Sequence, residues 1–356
     1  MSYKILTLAQ RDEWNRYFKE LPIEQQDVYF TPEYYELYEK NGDGKAQCFI
    51  FEKDGEIALY PFLLNSVNEL GYKLDKEYFD IQGAYGYNGL ISITNNEIFL
   101  KEFNNTFLDF CKNKKIIAEF IRFNPVIQNH KFCVYLEPIY TLDNVMIDLS
   151  QSEESIWMKS FDNGVRKAVK KGIRNKLKIE FYLGKDLSNV LLDEFISIYY
   201  STMDRQSAEK YYYFNKGFFQ NLIILLADSS LFTFVFKDTK IISTELNLFS
   251  GKTAYGFLGG TLREGYKFAP NSFLRFELIK KLKHKGIINY SIGGGSSKHD
   301  NIYKYKKSFS RYLDSNFYIG KKIHNSEIFN EVIRQWEDRF PEKKEKYSNF
   351  LLKYRY

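Results

Sequence analysis

The residues best suited to chemistry lie late in the chain, between Tyr303 and Phe309. This segment interleaves aromatic rings with lysines. A lysine between aromatic walls places a cation where the oxyanion of a tetrahedral acyl-transfer intermediate would form. Tyr305 and Lys306 are therefore the first candidate catalytic residues. The alternative is a basic surface strand, in which alternation turns Tyr305 and Phe309 inward.

Two aspartates are candidates to receive the proton that an attacking amine loses. Asp300 lies six residues before Lys306, at the exit of a glycine run over residues 293–295. Asp204 precedes Arg205 at the end of a predicted helix, where the guanidinium could hold an anionic substrate. An ordinary surface ion pair would explain this second pair of residues equally well.

Residues 163–174 predict a basic amphipathic helix. At helical spacing Arg166, Lys170 and Arg174 fall near one face. Such a row could neutralise successive phosphates, and arginine does so with bidentate geometry. Arg166 and Lys170 are therefore candidate substrate-binding residues.

Charge is distributed unevenly along the chain. Residues 1–150 contain 15 Lys and Arg against 23 Asp and Glu, a net charge of −8, whereas residues 151–356 contain 36 against 22, a net charge of +14. This asymmetry favours a second half that holds an anion, such as nucleic acid, a nucleotide-sugar diphosphate, a lipid diphosphate or a coenzyme. The alternative is a solvated basic surface.

A regular series of elements must position these residues. Strand-like runs lie between residues 231 and 260 and turn at Lys237-Asp238, followed by a predicted helix over 271–285 and a strand over 287–292. Earlier in the second half, a helix is predicted over 153–172. The first half shows the same order of helices, hairpin, helix and strand.

The repeated order predicts the fold class α/β (α+β), with two copies of one unit, each a mixed, mostly antiparallel sheet flanked by helices. The predicted domains are 1–150, which is acidic, and 151–356, which carries the active site. The latter includes a charged helical tail over 325–356 that Pro341 interrupts.

The sequence lacks the motifs of several other common catalytic mechanisms. The sequence has no G-x-S-x-G, G-x-x-x-x-G-K-[ST] or H-E-x-x-H motif, and its four histidines lack metal-ligand spacing. Its three cysteines are widely spaced, which is typical of reduced thiols. No apolar run approaches the ~18–20 residues of a membrane span, and the N-terminus lacks the features of a secretory signal. We therefore expect a cytoplasmic protein without a bound metal.

Taken in order, these motifs resemble the FemAB-like family of peptidoglycan-bridge aminoacyltransferases, which have tandem GNAT-like folds. The matching segments are the basic helix Arg166 to Arg174, the Thr202 to Arg205 step, the strand end Tyr255 to Thr261, the helix led by Pro270, and the aromatic-lysine segment Tyr303 to Phe309. The likeness is stronger over residues 151–315 than over 25–125.

The resemblance implies transfer of an acyl group from a reactive ester to an amine, without a covalent enzyme intermediate. It implies that Tyr305 and Lys306 lie at the reacting carbonyl and that Lys306 offsets the oxyanion charge. It also implies that Arg205 and Tyr255 hold an anionic acceptor.

The donor follows from a departure from ordinary GNAT enzymes. These hold the pyrophosphate of coenzyme A with an R/Q-x-x-G-x-G/A loop, whereas the equivalent residues 263–270 include bulky Tyr266 and Phe268. This favours aminoacyl-tRNA over acyl-CoA. Either would be a co-substrate, and no tightly bound cofactor is expected.

The predicted function is thus aminoacyl or acyl transfer to an amine of a lipid- or nucleotide-linked cell-envelope glycan or peptidoglycan precursor. Peripheral membrane contact is compatible with such an acceptor. One alternative is an acyl-CoA-dependent N-acyltransferase that acts on an amino sugar in surface polysaccharide biosynthesis. Another is a non-catalytic module that binds nucleic acid or glycan.

Overall fold

The computed structural model describes residues 3–356. Its strands are β1 Tyr3–Thr7, β2 Lys45–Lys53, β3 Glu56–Ser66, β4 Phe79–Gln82, β5 Ile91–Ser92, β6 Ile116–Arg122, β7 Ile139–Asp148, β8 Lys178–Leu183, β9 Ser230–Lys237, β10 Lys240–Ser250, β11 Thr253–Thr261, β12 Asn289–Gly293 and β13 Asp314–Ile323. Its helices are α1 Arg11–Glu20, α2 Pro32–Asn41, α3 Glu97–Lys114, α4 Glu153–Ser155, α5 Asn163–Arg174, α6 Asn189–Arg205, α7 Lys216–Leu225, α8 Pro270–His284, α9 Asn301–Lys307 and α10 Ser326–Arg339.

The chain divides into two compact units. Within residues 3–356, the first comprises residues 3–25, 29–141 and 317–356, and the second comprises 26–28 and 142–316. The sequence predicted a single boundary at residue 150, with the tail in the second domain. The tail instead returns to the first unit, because β13 pairs with β6 and α10 buries Trp336 in a hydrophobic cluster with Val67 and Ile117.

The first unit is built on the sheet β1-β2-β3-β4-β6-β13, in which only β4 and β6 pair in parallel. Its core is aromatic. Phe103 and Phe107 of α3 contact Phe49 of β2 with ring centroids 5.4 and 5.2 Å apart. Both are edge-to-face pairs, an arrangement that aromatic rings favour.

The second unit is built on the sheet β7-β12-β11-β10-β9-β8, in which only β11 and β12 pair in parallel. Helix α5 packs on α8 at Gly172, where an added Cβ would lie 2.8 Å from the Cβ of Phe273. Helix α6 packs closely on β11 at Gly260, where an added Cβ would lie 2.5 Å from the carbonyl oxygen of Ile198. Phe195 of α6 also contacts Phe232 of β9, with 5.1 Å between ring centroids.

The predicted fold class is confirmed, since each unit has a mixed, mostly antiparallel sheet flanked by helices. One predicted element was wrong. The helix predicted over 153–172 is interrupted, because Phe161 is extended and the side chain of Asp162 caps a new helix, α5. The alternative interpretation of Tyr303 to Phe309 as a surface strand does not hold, because the segment is largely helix α9. Within residues 3–356, no helix combines the length and the apolar character needed to cross a membrane.

The contact between α6 and β11 generates the first testable prediction. A Cβ added to Gly260 would lie 2.5 Å from the carbonyl oxygen of Ile198. We expect Gly260→Ala to lose roughly 1–3 kcal/mol of stability through overpacking, and so to lower the midpoint of thermal unfolding. The control is Gly217→Ala at an exposed helical position, where an added Cβ would meet only the Asn215 side-chain oxygen at 3.1 Å, so its midpoint should fall clearly less than that of Gly260→Ala. Equal midpoints for the two variants would contradict the close approach.

Candidate functional site

A cavity of ≈ 420 Å³ lies in the second unit where β11 and β12 part. Their parallel pairing covers only residues 253–255 and 289–291. Beyond it, residues 256–261 of β11 line the cavity on one side, and Ile292 of β12 lines it on the other. Tyr305 and Lys306 of α9 also line it, so the structure brings these two predicted residues together at one cavity.

The ammonium of Lys306 is partly withdrawn from water at this cavity. Its Nζ donates a hydrogen bond to the carbonyl oxygen of Gly294 at 2.7 Å. Burial, reinforced by the nearby positive charge of Arg275, lowers the pKa of Lys306 from 10.5 to about 8, although Glu245 and Asp300 act in the opposite direction. A cation held in this way interacts more strongly with a new negative charge than one in bulk water does.

The glycine run after β12 shapes this environment. Gly293 has a φ of +73°, and a Cβ there would lie 3.2 Å from the Nζ of Lys306. A Cβ on Gly294 would lie 2.7 Å from the carbonyl oxygen of Asp143. The run therefore lets the backbone approach the lysine closely, and steric demand alone accounts for its lack of side chains.

The sequence did not single out an ion pair that also lines the cavity. Arg275 Nη2 of α8 donates to Glu245 Oε2 of β10 at 2.7 Å, and the side chains are only 12% and 14% exposed. The buried Tyr290 accepts from Arg275 at 2.9 Å and donates to Glu245 at 2.8 Å. The sequence signal that could have indicated Glu245 is that it is the one charged residue of the predicted strand from Ile241 to Ser250.

Asp300 is engaged by the backbone rather than aimed into the cavity. It caps α9 by accepting from the amide of Tyr303 at 2.8 Å, and it accepts from Ser296 and Ser297 at 2.7 and 3.1 Å. These hydrogen bonds, that of Tyr303 first, lower its pKa. Asp300 therefore holds the loop that presents Gly294 to Lys306, and its carboxylate is a weak base.

Asp204 and Arg205 line a separate shallow pocket. Arg205 Nη2 donates to Thr202 Oγ1 at 3.1 Å and to the carbonyl of Thr261 at 3.0 Å. Its guanidinium carbon lies 5.3 Å from the ring centroid of Tyr266, which lines the main cavity. Asp204 accepts from Tyr213 at 2.8 Å instead of pairing with Arg205. Arg205 thus lies beside the cavity, at its Thr261 edge.

The other predicted binding residues lie elsewhere, and in the described part of the chain none of them lines the cavity. Arg166 donates to the carbonyls of Phe161 and Trp157 at 2.5 and 3.1 Å, closing the preceding helical turn. Lys170 is exposed on α5. Tyr255 is 2% exposed, and its hydroxyl donates to Asp27 of the same unit. Their proposed roles with substrate remain predictions.

The loop between β11 and α8 uses its own amides. Gly265 donates to the carbonyl of Leu262 at 2.9 Å, and Ala269 donates to that of Tyr266 at 3.1 Å. These groups are therefore not free to hold a pyrophosphate. Within residues 3–356, no group of three or more His, Cys, Asp or Glu side chains is placed to hold a metal ion.

Comparison with known proteins agrees with this geometry. Residues 159–307 match the family model of the acetyltransferase (GNAT) domain. The second unit therefore carries a GNAT domain, and the protein is an acyltransferase of GNAT type, as the motifs predicted. No curated protein matches the sequence.

Solved structures support the fold over nearly the whole chain. FemX is similar with a TM-score of 0.68 at 14% identity, over 93% of this chain and 99% of FemX. The C-terminal domain (DUF2156) of a putative lysylphosphatidylglycerol synthetase from Agrobacterium fabrum is similar with a TM-score of 0.56 at 12% identity, over 94% and 97%. L-PGS from Bacillus licheniformis has a TM-score of 0.54 at 12% identity, over 90% and 94%. The predicted resemblance to FemAB-like, GNAT-type proteins is confirmed.

The hydrogen bonds of Asp300 generate the second prediction. Asp300→Asn keeps a side-chain oxygen for the cap of α9 but cannot accept a proton, whereas Asp300→Ala loses both and should cost about 1 kcal/mol from the cap. If Asp300 acts by positioning, the Asn variant should retain clearly more acyl-transfer activity and a higher unfolding midpoint than the Ala variant. Equal, severe loss of activity in both, with the Asn variant as stable as the natural protein, would instead assign proton transfer to Asp300.

Proposed function

We propose that this GNAT-type acyltransferase moves an aminoacyl group from an aminoacyl ester to an amine of a cell-envelope glycan or peptidoglycan precursor. The observation that carries the proposal is Lys306, a partly desolvated ammonium at the wall of a cavity of suitable size for a reacting ester. A fixed cation in such a place stabilises a negative charge that develops on the carbonyl oxygen.

The reaction would proceed by direct attack. The acceptor amine adds to the ester carbonyl, and the carbon–oxygen double bond becomes a single bond to an oxyanion beside Lys306 Nζ. Collapse of this intermediate reforms the carbonyl, breaks the ester bond and releases the donor alcohol, which takes the proton that the amine loses. Tyr305, which lines the cavity and is 42% exposed, would position the reacting ester. We assign no relay to Asp300, which backbone amides engage, or to Asp204, which lines the separate pocket.

One observation supports an aminoacyl donor carried by tRNA. The amides of Gly265 and Ala269 donate to carbonyl groups of their own loop, so these two groups are not available to a coenzyme A pyrophosphate.

The proposed acceptor rests on the basic second half and on similarity. FemX and the putative lysylphosphatidylglycerol synthetase share this fold, and the resemblance to the FemAB-like family points to peptidoglycan precursors. Arg205, beside the cavity, is the best-placed predicted residue to hold the phosphates of a nucleotide- or lipid-linked acceptor. A lipid-linked acceptor would bring the protein to a membrane surface.

A second candidate is N-acylation of an amino sugar by acyl-CoA. Helix α8 begins at the cavity without a side-chain cap, and Asn271 in its first turn lines the cavity. An uncapped helix N-terminus attracts a phosphate. Purified protein should be given charged tRNA or acetyl-CoA, each with a peptidoglycan precursor or an amino sugar, and the products identified by mass spectrometry. Product from charged tRNA, lost on ribonuclease treatment, supports our proposal, whereas product from acetyl-CoA alone contradicts it.

Removal of the central cation is the third prediction. Lys306→Met should lower turnover by roughly 10²–10³-fold, the usual effect of losing one oxyanion partner. Because desolvation of the ammonium opposes folding, the midpoint of thermal unfolding at pH 7 should stay the same or rise. Lys304→Met, at an exposed position of the same helix, is the matched control and should retain activity. Near-normal turnover by Lys306→Met would refute the assignment. Ligand binding by the natural protein without any turnover would favour a binding module.

The pKa of Lys306 gives the fourth prediction. The group is protonated below its pKa of about 8 and neutral above it. If the protonated form is required, kcat should fall as the pH rises through about 8. Lys306→Arg, which keeps its charge over this range, should move that fall to higher pH. A natural enzyme whose kcat rises through pH 8 and then stays level would show that the neutral amine is the active form.

A further inference from the structure

The first unit has a cavity of its own, built on the faces of three neighbouring strands. Gln82 of β4 pairs with Phe120 of β6, which pairs in turn with Lys321 of β13. Two residues further along β6, Arg122 pairs with Ile319 of β13. Residues paired in this way and two apart on a strand share one face of a sheet, so the five side chains form one continuous patch.

The segment 349–352 and Tyr356 border this patch and close a cavity of ≈ 200 Å³. Its apolar walls include Phe120 and Leu351. Phe350 and Tyr356 line the cavity and are 49% and 46% exposed, with ring centroids 5.4 Å apart. Large aromatic surfaces left open beside a cavity are typical of ligand sites.

The cavity also carries two positively charged side chains, Arg122 and Lys321. The guanidinium carbon of Arg122 lies 5.3 Å from the ring centroid of Phe120, and within residues 3–356 no acidic side chain pairs with it. Lys321 donates to the carbonyl oxygen of Asn349 at 2.7 Å.

The nearest carboxylate along β4 is already engaged. Asp80 lies two residues before Gln82 and is fully buried. It accepts from Arg355 Nε at 3.0 and 2.8 Å and from the hydroxyl of Tyr354 at 2.8 Å. The charge of Asp80 is therefore matched by Arg355, so Asp80 does not neutralise Arg122 or Lys321.

We propose that this cavity binds a small amphipathic anion, a carboxylate or phosphate attached to one flat or branched apolar group. Arg122 would receive the anion, because a guanidinium binds two oxygens at once, and Phe120 and Leu351 would contact the apolar group. The volume is below the 300–1,000 Å³ common for whole drug-sized ligands. The site therefore suits a free small acid or the terminal residue of a larger ligand, such as a peptide that ends in an apolar residue. It is independent of the proposed acyl transfer.

Binding to the full chain can be measured by isothermal titration calorimetry with four probes of one shape: phenylacetate, phenyl phosphate, benzyl alcohol and phenethylamine. We expect both anions to bind at least about tenfold more tightly than the alcohol, because a hydrogen bond to a charged group contributes about 1.5–3 kcal/mol. The amine should bind most weakly. Equal affinities for phenylacetate and benzyl alcohol would overturn the proposal.

Variants locate the binding. Arg122→Met should lower the affinity for both anions about tenfold or more, and Arg122→Lys should recover part of that affinity. Leu351→Trp should abolish binding, because the larger side chain fills the cavity. Arg334→Met, which removes a 70% exposed arginine of the same unit, is the matched control and should bind as the natural protein does. Thermal unfolding of each variant shows that it is folded. Unchanged affinity in both folded Arg122→Met and folded Leu351→Trp would refute the site.

A last comparison separates the two sources of such a ligand. A peptide ending in phenylalanine should bind more tightly than phenylacetate if the cavity receives the end of a larger ligand, and its C-terminal amide should lose that affinity. Equal affinity for peptide and free acid would identify a site for a small metabolite.

Discussion

The partial desolvation of one ammonium group governs the second unit. Among residues 3–356, the ammonium of Lys306 donates one hydrogen bond, to the carbonyl oxygen of Gly294, and it is largely withdrawn from water with Arg275 nearby. Its charged form is therefore poorly stabilised in the resting protein, which is why its pKa lies near 8. An oxyanion at the cavity would supply the missing stabilisation, so the interaction is stronger in the transition state than in the free enzyme.

The rest of the unit can be understood as support for that cation. The parallel pairing of β11 with β12 ends early, which opens the cavity, while glycines at 293 and 294 let the loop approach the lysine. Asp300 fixes both the loop and the start of α9. Glu245 and Arg275, bridged by Tyr290, form another wall of the cavity. Their opposite charges neutralise each other, whereas Lys306 has no carboxylate of residues 3–356 in direct contact.

The sequence predicted the repeated α/β plan and the region of the site, because hydrophobic periodicity and the aromatic-lysine segment are local signals. It did not predict that α9 is a helix, since the cap by Asp300 depends on a loop geometry that alternation of residue types does not encode. The role of Arg166 in closing a helical turn was equally hidden, because the break at Phe161 is not marked by glycine or proline. Glu245 and Arg275 are 30 residues apart in sequence and meet only through tertiary packing. The return of residues 317–356 to the first unit likewise depends on long-range strand pairing and on the burial of Asp80 with Arg355.

The central claim is that the ammonium of Lys306 is partly desolvated before any substrate binds. NMR titration of protein labelled with ¹³C at the lysine ε-carbons, with the Lys306 signal assigned by comparison with Lys306→Met, measures this directly. The account predicts a titration midpoint near 8 for Lys306, well below the ordinary lysine pKa of 10.5. A midpoint at the ordinary lysine value would contradict it.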